Sequence, residues 1–231
     1  MDIARKTTVT SFLAFISLSV PAFADPSVPD SSIGRLETLA LLNGLNADLL
    51  GHDSATLTLD RWCETHRLSS DSRIVAEQDN STQKNADADV RKLLHVDAND
   101  LVKYRRVKLS CGDHVLSEAD NWYVPGRLTP EMNHVLETTN TAFGRAVQAL
   151  HFERHTLSAQ VLWKPLPDGW EMGAALPPSS GDRLQVPKYV IQHKAFLTGP
   201  DGLPFSALVE TYTNEVLDFP FPASIERRNL P

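Results

Sequence analysis

The chain has 231 residues, with 22 Lys and Arg against 29 Asp and Glu, a formal net charge of −7. That length suits one domain with a substantial core and is short for two. The acidic balance argues against nucleic acid, whose affinity comes from phosphate neutralisation by clustered Lys and Arg; it also means that a small anionic ligand needs a local, desolvated arginine to hold it.

In chain order, Arg5 and Lys6 precede the apolar "VTSFLAFISLSVPAFA", which ends on Ala22 and Ala24 in an A-x-A arrangement. This is the succession of a secretory signal, so residues 1–24 are expected to be removed and residues 25–231 to form a single domain, periplasmic or secreted. Ser17, Ser19 and Pro21 interrupt the run, which falls short of the roughly 20 residues of a membrane span. No later segment comes close, so no membrane span is expected. Asp25 stands where a lipid anchor would need a cysteine.

"SSIGRLETLALLNGLNADLL" predicts a helix from about Leu36, with Leu36, Leu39, Leu42 and Leu45 at helical spacing and Ser31 or Ser32 as caps. A second helix is expected over Leu57 to His66, and a polar surface loop leading to a short helix between Gln78 and Asn99. "LVKYRRVKLS" and "HVLSEADNWYV" then read as strands around the turn "CGD". "TPEMNHVLETT" predicts a helix capped by Thr129, and "TAFGRAVQAL" a short helix. "RHTLSAQVLW" alternates like a strand, with Leu157, Ala159, Val161 and Trp163 on one face. A Pro/Gly-rich loop from Lys164 to Pro187 follows, and "YVIQHKAFL" and "FSALVETYT" flank the turn "TGPDGLP". Helices first and hairpins afterwards imply an α+β domain, an antiparallel β-sheet with helices packed on it.

Strand parity sorts the charged residues. Arg105 shares a face with Lys103, Val107 and Leu109, and Arg106 with Tyr104 and Lys108, so Arg105 is the inward candidate. Glu210 shares a face with Leu208 and Tyr212, opposite Phe205, Ala207 and Val209. For both residues the alternative is an ordinary solvated strand position. His193 lies on the Ile191, Ala195, Leu197 face, either at a pocket or as a hydrogen-bonded core histidine. Glu118 and Asp120 read as solvated like charges. Cys63 and Cys111 form a disulfide or serve as two small buried hydrophobes; their spacing decides nothing. "HFERH" carries its glutamate at the wrong position for the zinc-protease motif, and no metal site is expected.

Four segments in order, "HDSAT" (52–56), "RRVKL", "FGRAV" (143–147) and "LVETYT", resemble the chorismate-pyruvate lyases, over about Leu39 to Asn214. The resemblance implies a chorismate lyase-like fold. It places the family's carboxylate-binding arginine on Arg105, its late active-site glutamate on Glu210 as the catalytic residue, and the glycine of its Leu-Gly-Arg motif on Gly144. Ala55 replaces a methionine of the family's D-S-Met-T segment. Substrate-binding positions are thus expected at Arg105, Gly144, Ala55 and His193, with Glu210 buried as hydrogen-bond partner or proton donor. The implied lyase reaction converts chorismate to 4-hydroxybenzoate and pyruvate with no cofactor. The alternative is a non-catalytic periplasmic binding protein for a small aromatic or cyclic carboxylate, or another small effector, using the same pocket. The same fold serves as the ligand-sensing domain of some bacterial transcription repressors. The sequence leaves the oligomeric state open.

Overall fold

A computed structural model describes residues 28–178 and 182–219. The proposed export signal, residues 1–24, lies outside the described residues. Two long helices come first, α1 (Ser32–Leu50) and α2 (Ala55–His66). Ser31, one of the two caps the sequence offers, accepts from the Gly34 N–H, and Ser54 caps α2 by accepting from the Leu57 N–H. The buried stripe of α1 is Thr38, Leu42, Leu45 and Leu49. Leu36, expected to begin it, faces solvent, because Gly34 and Arg35 occupy the inward turn; Arg35 bonds Asp30 and the Pro165 carbonyl.

The sheet has six antiparallel strands: β1 (Val75–Gln78), β2 (Lys103–Cys111), β3 (His114–Tyr123), β4 (Glu153–Val161), β5 (Tyr189–Thr198) and β6 (Pro204–Thr213). Their order is β1-β2-β3-β6-β5-β4, so two hairpins meet along β3 and β6, with β1 and β4 at the edges. The α+β class is the one expected. The polar loop leads to the short helix α3 (Ala88–Leu93). Helices α4 (Pro130–Thr138) and α5 (Phe143–Ala146) follow β3. Thr129 caps α4, accepting from the Met132 N–H.

Three sequence-level expectations differ from the structure. β1, "VAEQ", is too short and polar to announce itself, yet it pairs with β2 through all four residues. Phe205 is expected opposite Leu208 but packs in the same cluster, because the β5–β6 register shifts at Leu197/Thr198 and such an irregularity re-aims a side chain. On the expected apolar face of the edge strand β4, Leu157 and Val161 are exposed, Leu157 by 55%, where the β4–β5 register shifts between Thr156 and Ser158, and only Trp163, just past the strand, packs on the core.

Core residues form two main clusters on one side of the sheet. The first joins α1 and α2 to β1, β2 and β3, and contains Leu45, Leu59, Trp62, Val107 and Leu109. The second joins α4 and the segment around Val147 and Phe152 to β5 and β6. Cys63 on α2 and Cys111 at the end of β2 are joined by a disulfide across 6.2 Å between Cα atoms. Gly112 turns the β2–β3 hairpin at φ +54°, and a Cβ there would meet Ser69 Oγ at 2.7 Å, so only glycine suits the position.

Candidate functional site

A narrow cavity with an open mouth lies at the seam of the two clusters. Its floor is Val107, Leu109 and Ala119 of the sheet on one side and Leu197 and Leu208 on the other. Phe143 and Phe152 close it, and Asp53, Ser54, Ala55 and Thr56 at the start of α2 form a further wall. Arg105, Arg154, Glu210 and Asn121 are its polar lining within the sheet. About 510 Å³ lies between the wall atoms, open mouth included, but water centres can occupy only about 40 Å³, room for roughly three waters.

Arg105 is 5% exposed. Its Nη2 donates to the Thr141 carbonyl at 3.1 Å, and its buried Nε has no partner. No carboxylate among the described residues forms an ion pair with it. Burial therefore pulls the guanidinium down from its ordinary 12.5 to about 10, the nearby Tyr123 opposing. Arg106, one residue on, points to the other side of the sheet and bonds Glu118 and Asp120 at 3.0 Å each. Those two carboxylates, expected to be solvated, are instead shared with Arg106, Lys84 and Lys188. The face assignment read from alternation is the one observed.

Glu210 accepts from Arg154 Nη2 at 2.6 Å and from the Tyr212 hydroxyl at 3.2 Å, both at Oε2. The side chains of Arg154 and Glu210 are 4% and 9% exposed. Burial pulls the Arg154 guanidinium down, and the Glu210 charge, aided by Tyr212 and Asp53, more than reverses it, leaving it raised. Tyr212 is pushed well above its usual range by burial and then by Glu210. Arg154 is the site residue that sequence reasoning misses. Its only signal is that a carboxylate in an apolar strand demands a cation, and nothing local says that β4 supplies it across β5.

Ala55 and Gly144 both line the cavity. The first turn of α2 carries the positive end of the helix, with the Leu57 N–H taken by Ser54 and the Asp53 carboxylate in the same wall. Gly144 allows α5 to sit against that turn: a Cβ would meet Ser54 Oγ at 2.7 Å and Thr56 Oγ1 at 3.1 Å. The neighbouring Arg145 clamps α5, its guanidinium bonding Asp60 and the Ile74 carbonyl.

His193 does not belong to the cavity wall. It is fully buried, its Nε2 within 2.8 Å of Asn46 Oδ1 and its ring edge-on to Tyr212. Burial holds its pKa below 6.5. Register sets His193 beside Glu210 on the same face of the sheet, but Asn46 of α1 and Tyr212 cover it. His155 bonds Thr198 Oγ1 and stacks on Phe196. Among the described residues, no three His, Cys, Asp or Glu side chains are grouped to hold a metal, and no helix is long and apolar enough to cross a membrane.

The fold and the site thus define an α+β domain whose sheet buries an arginine in the wall of a small, narrow cavity. Over 223 residues the chain is 52% identical to the uncharacterised protein y4mC of Sinorhizobium fredii, a match covering 94% of each chain, and it belongs to that protein's family. No family model matches it. Among solved structures it is distantly similar to PhnF from Mycobacterium smegmatis, with 13% identity, a TM-score of 0.44, and 76% of this chain and 69% of that one covered. It is likewise similar to a GntR-family transcriptional regulator from Bacillus cereus, with 14% identity, a TM-score of 0.38, and 66% of this chain and 98% of that one covered.

Proposed function

We propose that the chain is an exported binding protein for a small carboxylate, an aromatic or cyclic acid, whose acidic group is held at the cavity wall by Arg105. One observation carries this reading: a guanidinium buried in a cavity wall with an unpartnered Nε and no carboxylate of its own. A buried charge without a counterion is costly, and a ligand carboxylate offsets that cost through charge-assisted, bidentate bonds that lysine does not reproduce. The cavity's narrowness favours a compact acidic group.

A lyase acting on chorismate is the second reading, favoured by the presence of Arg105 and Glu210 in one cavity. It requires Glu210 to give up a proton. A carboxylate that accepts from a buried arginine and a tyrosine through the same oxygen is arranged as an acceptor, which supports binding over turnover. Calorimetry with 4-hydroxybenzoate tests the first reading: Arg105→Ala should lose most of the affinity and Arg106→Ala little, and equal affinities for wild type and Arg105→Ala would remove the assignment. Incubation with chorismate tests the second, since stoichiometric 4-hydroxybenzoate and pyruvate on a chromatogram would restore the enzyme. Export is checked by N-terminal sequencing of the exported protein, expected to begin at Asp25.

A further inference from the structure

Arg105 lies in the wall between two spaces. One is the narrow cavity; the other is a wider cleft bounded by the 83–86 loop, Arg91, Lys103, Tyr123 and Glu137. The cleft offers water centres about 430 Å³, against about 40 Å³ in the cavity. A ligand anchored on Arg105 therefore has far more room outward than inward.

The chemistry of the cleft is also one-sided. Lys84, Arg91, Lys103 and Arg105 line it, with Glu137 as its one carboxylate. Lys84 is already held by Asp120, and Arg91 by the Asp97 and Asp100 carbonyls. Lys103 is held by Glu137 alone, and their side chains are 38% and 45% exposed. An ion pair this open to water is weak, so Lys103 readily exchanges partners. Lys103 and Arg105 are consecutive residues on one face of β2, about 7 Å apart along the strand. Tyr123 stands opposite Lys103 in the neighbouring strand and lines the same cleft.

We infer that Lys103 forms a second anion subsite beside Arg105, and that the ligand is a dianion: one carboxylate on Arg105 at the cavity wall and a second acidic group on Lys103 in the cleft. This rests on the Arg105 reading and extends it. Glu137 acts as a placeholder that the second group displaces. Selectivity then comes from spacing, since a monoacid leaves the Lys103–Glu137 pair intact and a diacid of the wrong span reaches only one cation.

Titration calorimetry at fixed ionic strength tests the subsite, with benzoate and hexanoate as monoacids and phthalate, terephthalate and adipate as diacids of stepped span. Terephthalate or adipate is expected to bind the wild type about tenfold or more tighter than its monoacid counterpart, the gain of one charge-assisted contact. Lys103→Ala and Lys103→Gln should erase that advantage without changing monoacid affinity, Arg105→Ala should abolish both, and Lys194→Ala, exposed on β5, should change neither. If monoacids bind through Arg105 and no diacid gains, or the gain survives both Lys103 variants, the subsite is wrong and the Arg105 reading stands. If no acid binds, both fall.

Discussion

Arg105→Met separates a binding arginine from a structural one. In the folded protein the guanidinium falls from 12.5 to about 10, a penalty of about 3 kcal/mol for keeping it charged. Below pH 10 it is protonated both folded and unfolded, so the penalty is fully present at pH 7; it fades only as pH rises from about 10 toward 12.5. Methionine fills similar space without the charge. The substitution also forfeits the bond to the Thr141 carbonyl, worth about 1.5–3 kcal/mol for a charged donor. The two nearly offset, so the unliganded variant should match the wild type or exceed it by about 1 kcal/mol, which at this size is about 2–4 °C in Tm. Urea denaturation and thermal melts at pH 7 measure this. With 4-hydroxybenzoate at a hundred times its Kd the wild type should gain about 2.7 kcal/mol and the variant nothing. A loss of more than about 2 kcal/mol in the unliganded variant would mean that Arg105 holds the fold together, and the argument from its unpaired charge would be wrong.

Glu210→Gln breaks a buried ion pair and should destabilise by about 3 kcal/mol in the same urea assay; an unchanged midpoint would show that Arg154 finds another partner. Reducing the Cys63–Cys111 bond, which spans 48 residues, should cost about 4 kcal/mol by loop entropy, and two free thiols titrated in the denatured, unreduced protein would rule the bond out. Gly144→Ala forces a methyl against Ser54 and Thr56, and calorimetric melting should show a loss of about 1–3 kcal/mol; a neutral result would contradict the close approach. His193 is neutral when buried, with its pKa held below 6.5, so the unfolded chain takes up the extra proton and stability falls as pH drops below 6.5. His193→Gln should reduce that slope, and an identical slope would assign it to other groups.

Alternation read the β2 and β6 faces well because side-chain period in a strand is geometric and needs no partner. It made Arg105 and not Arg106 the inward candidate and grouped Glu210 with Leu208 and Tyr212, and the cap residues Ser31 and Thr129 were legible for an equally local reason. What the sequence hid depends on pairing between distant strands. Arg154 reaches Glu210 only because β4 and β6 flank β5, and His193 is kept from the cavity by Asn46, supplied by a helix far away in the chain, and by Tyr212. Phe205 changed faces through an irregularity that no residue announces. Tightness is likewise invisible in a sequence: replacing a methionine by Ala55 suggests a wider pocket, yet the cavity holds only a few waters because Phe143 and Phe152 close in on it.

The disulfide bears on when the protein becomes competent. Cys63 belongs to the helix whose first turn walls the cavity, and Cys111 to the strand that carries Arg105 and Lys103. Joining them ties the far end of that helix to the far end of that strand, so oxidation holds two walls of one chamber together before any ligand arrives. A reducing cytoplasm withholds that clamp and an oxidising compartment supplies it. A chain with the bond reduced therefore carries a slacker chamber, and its affinity for an acid should fall below that of the oxidised protein.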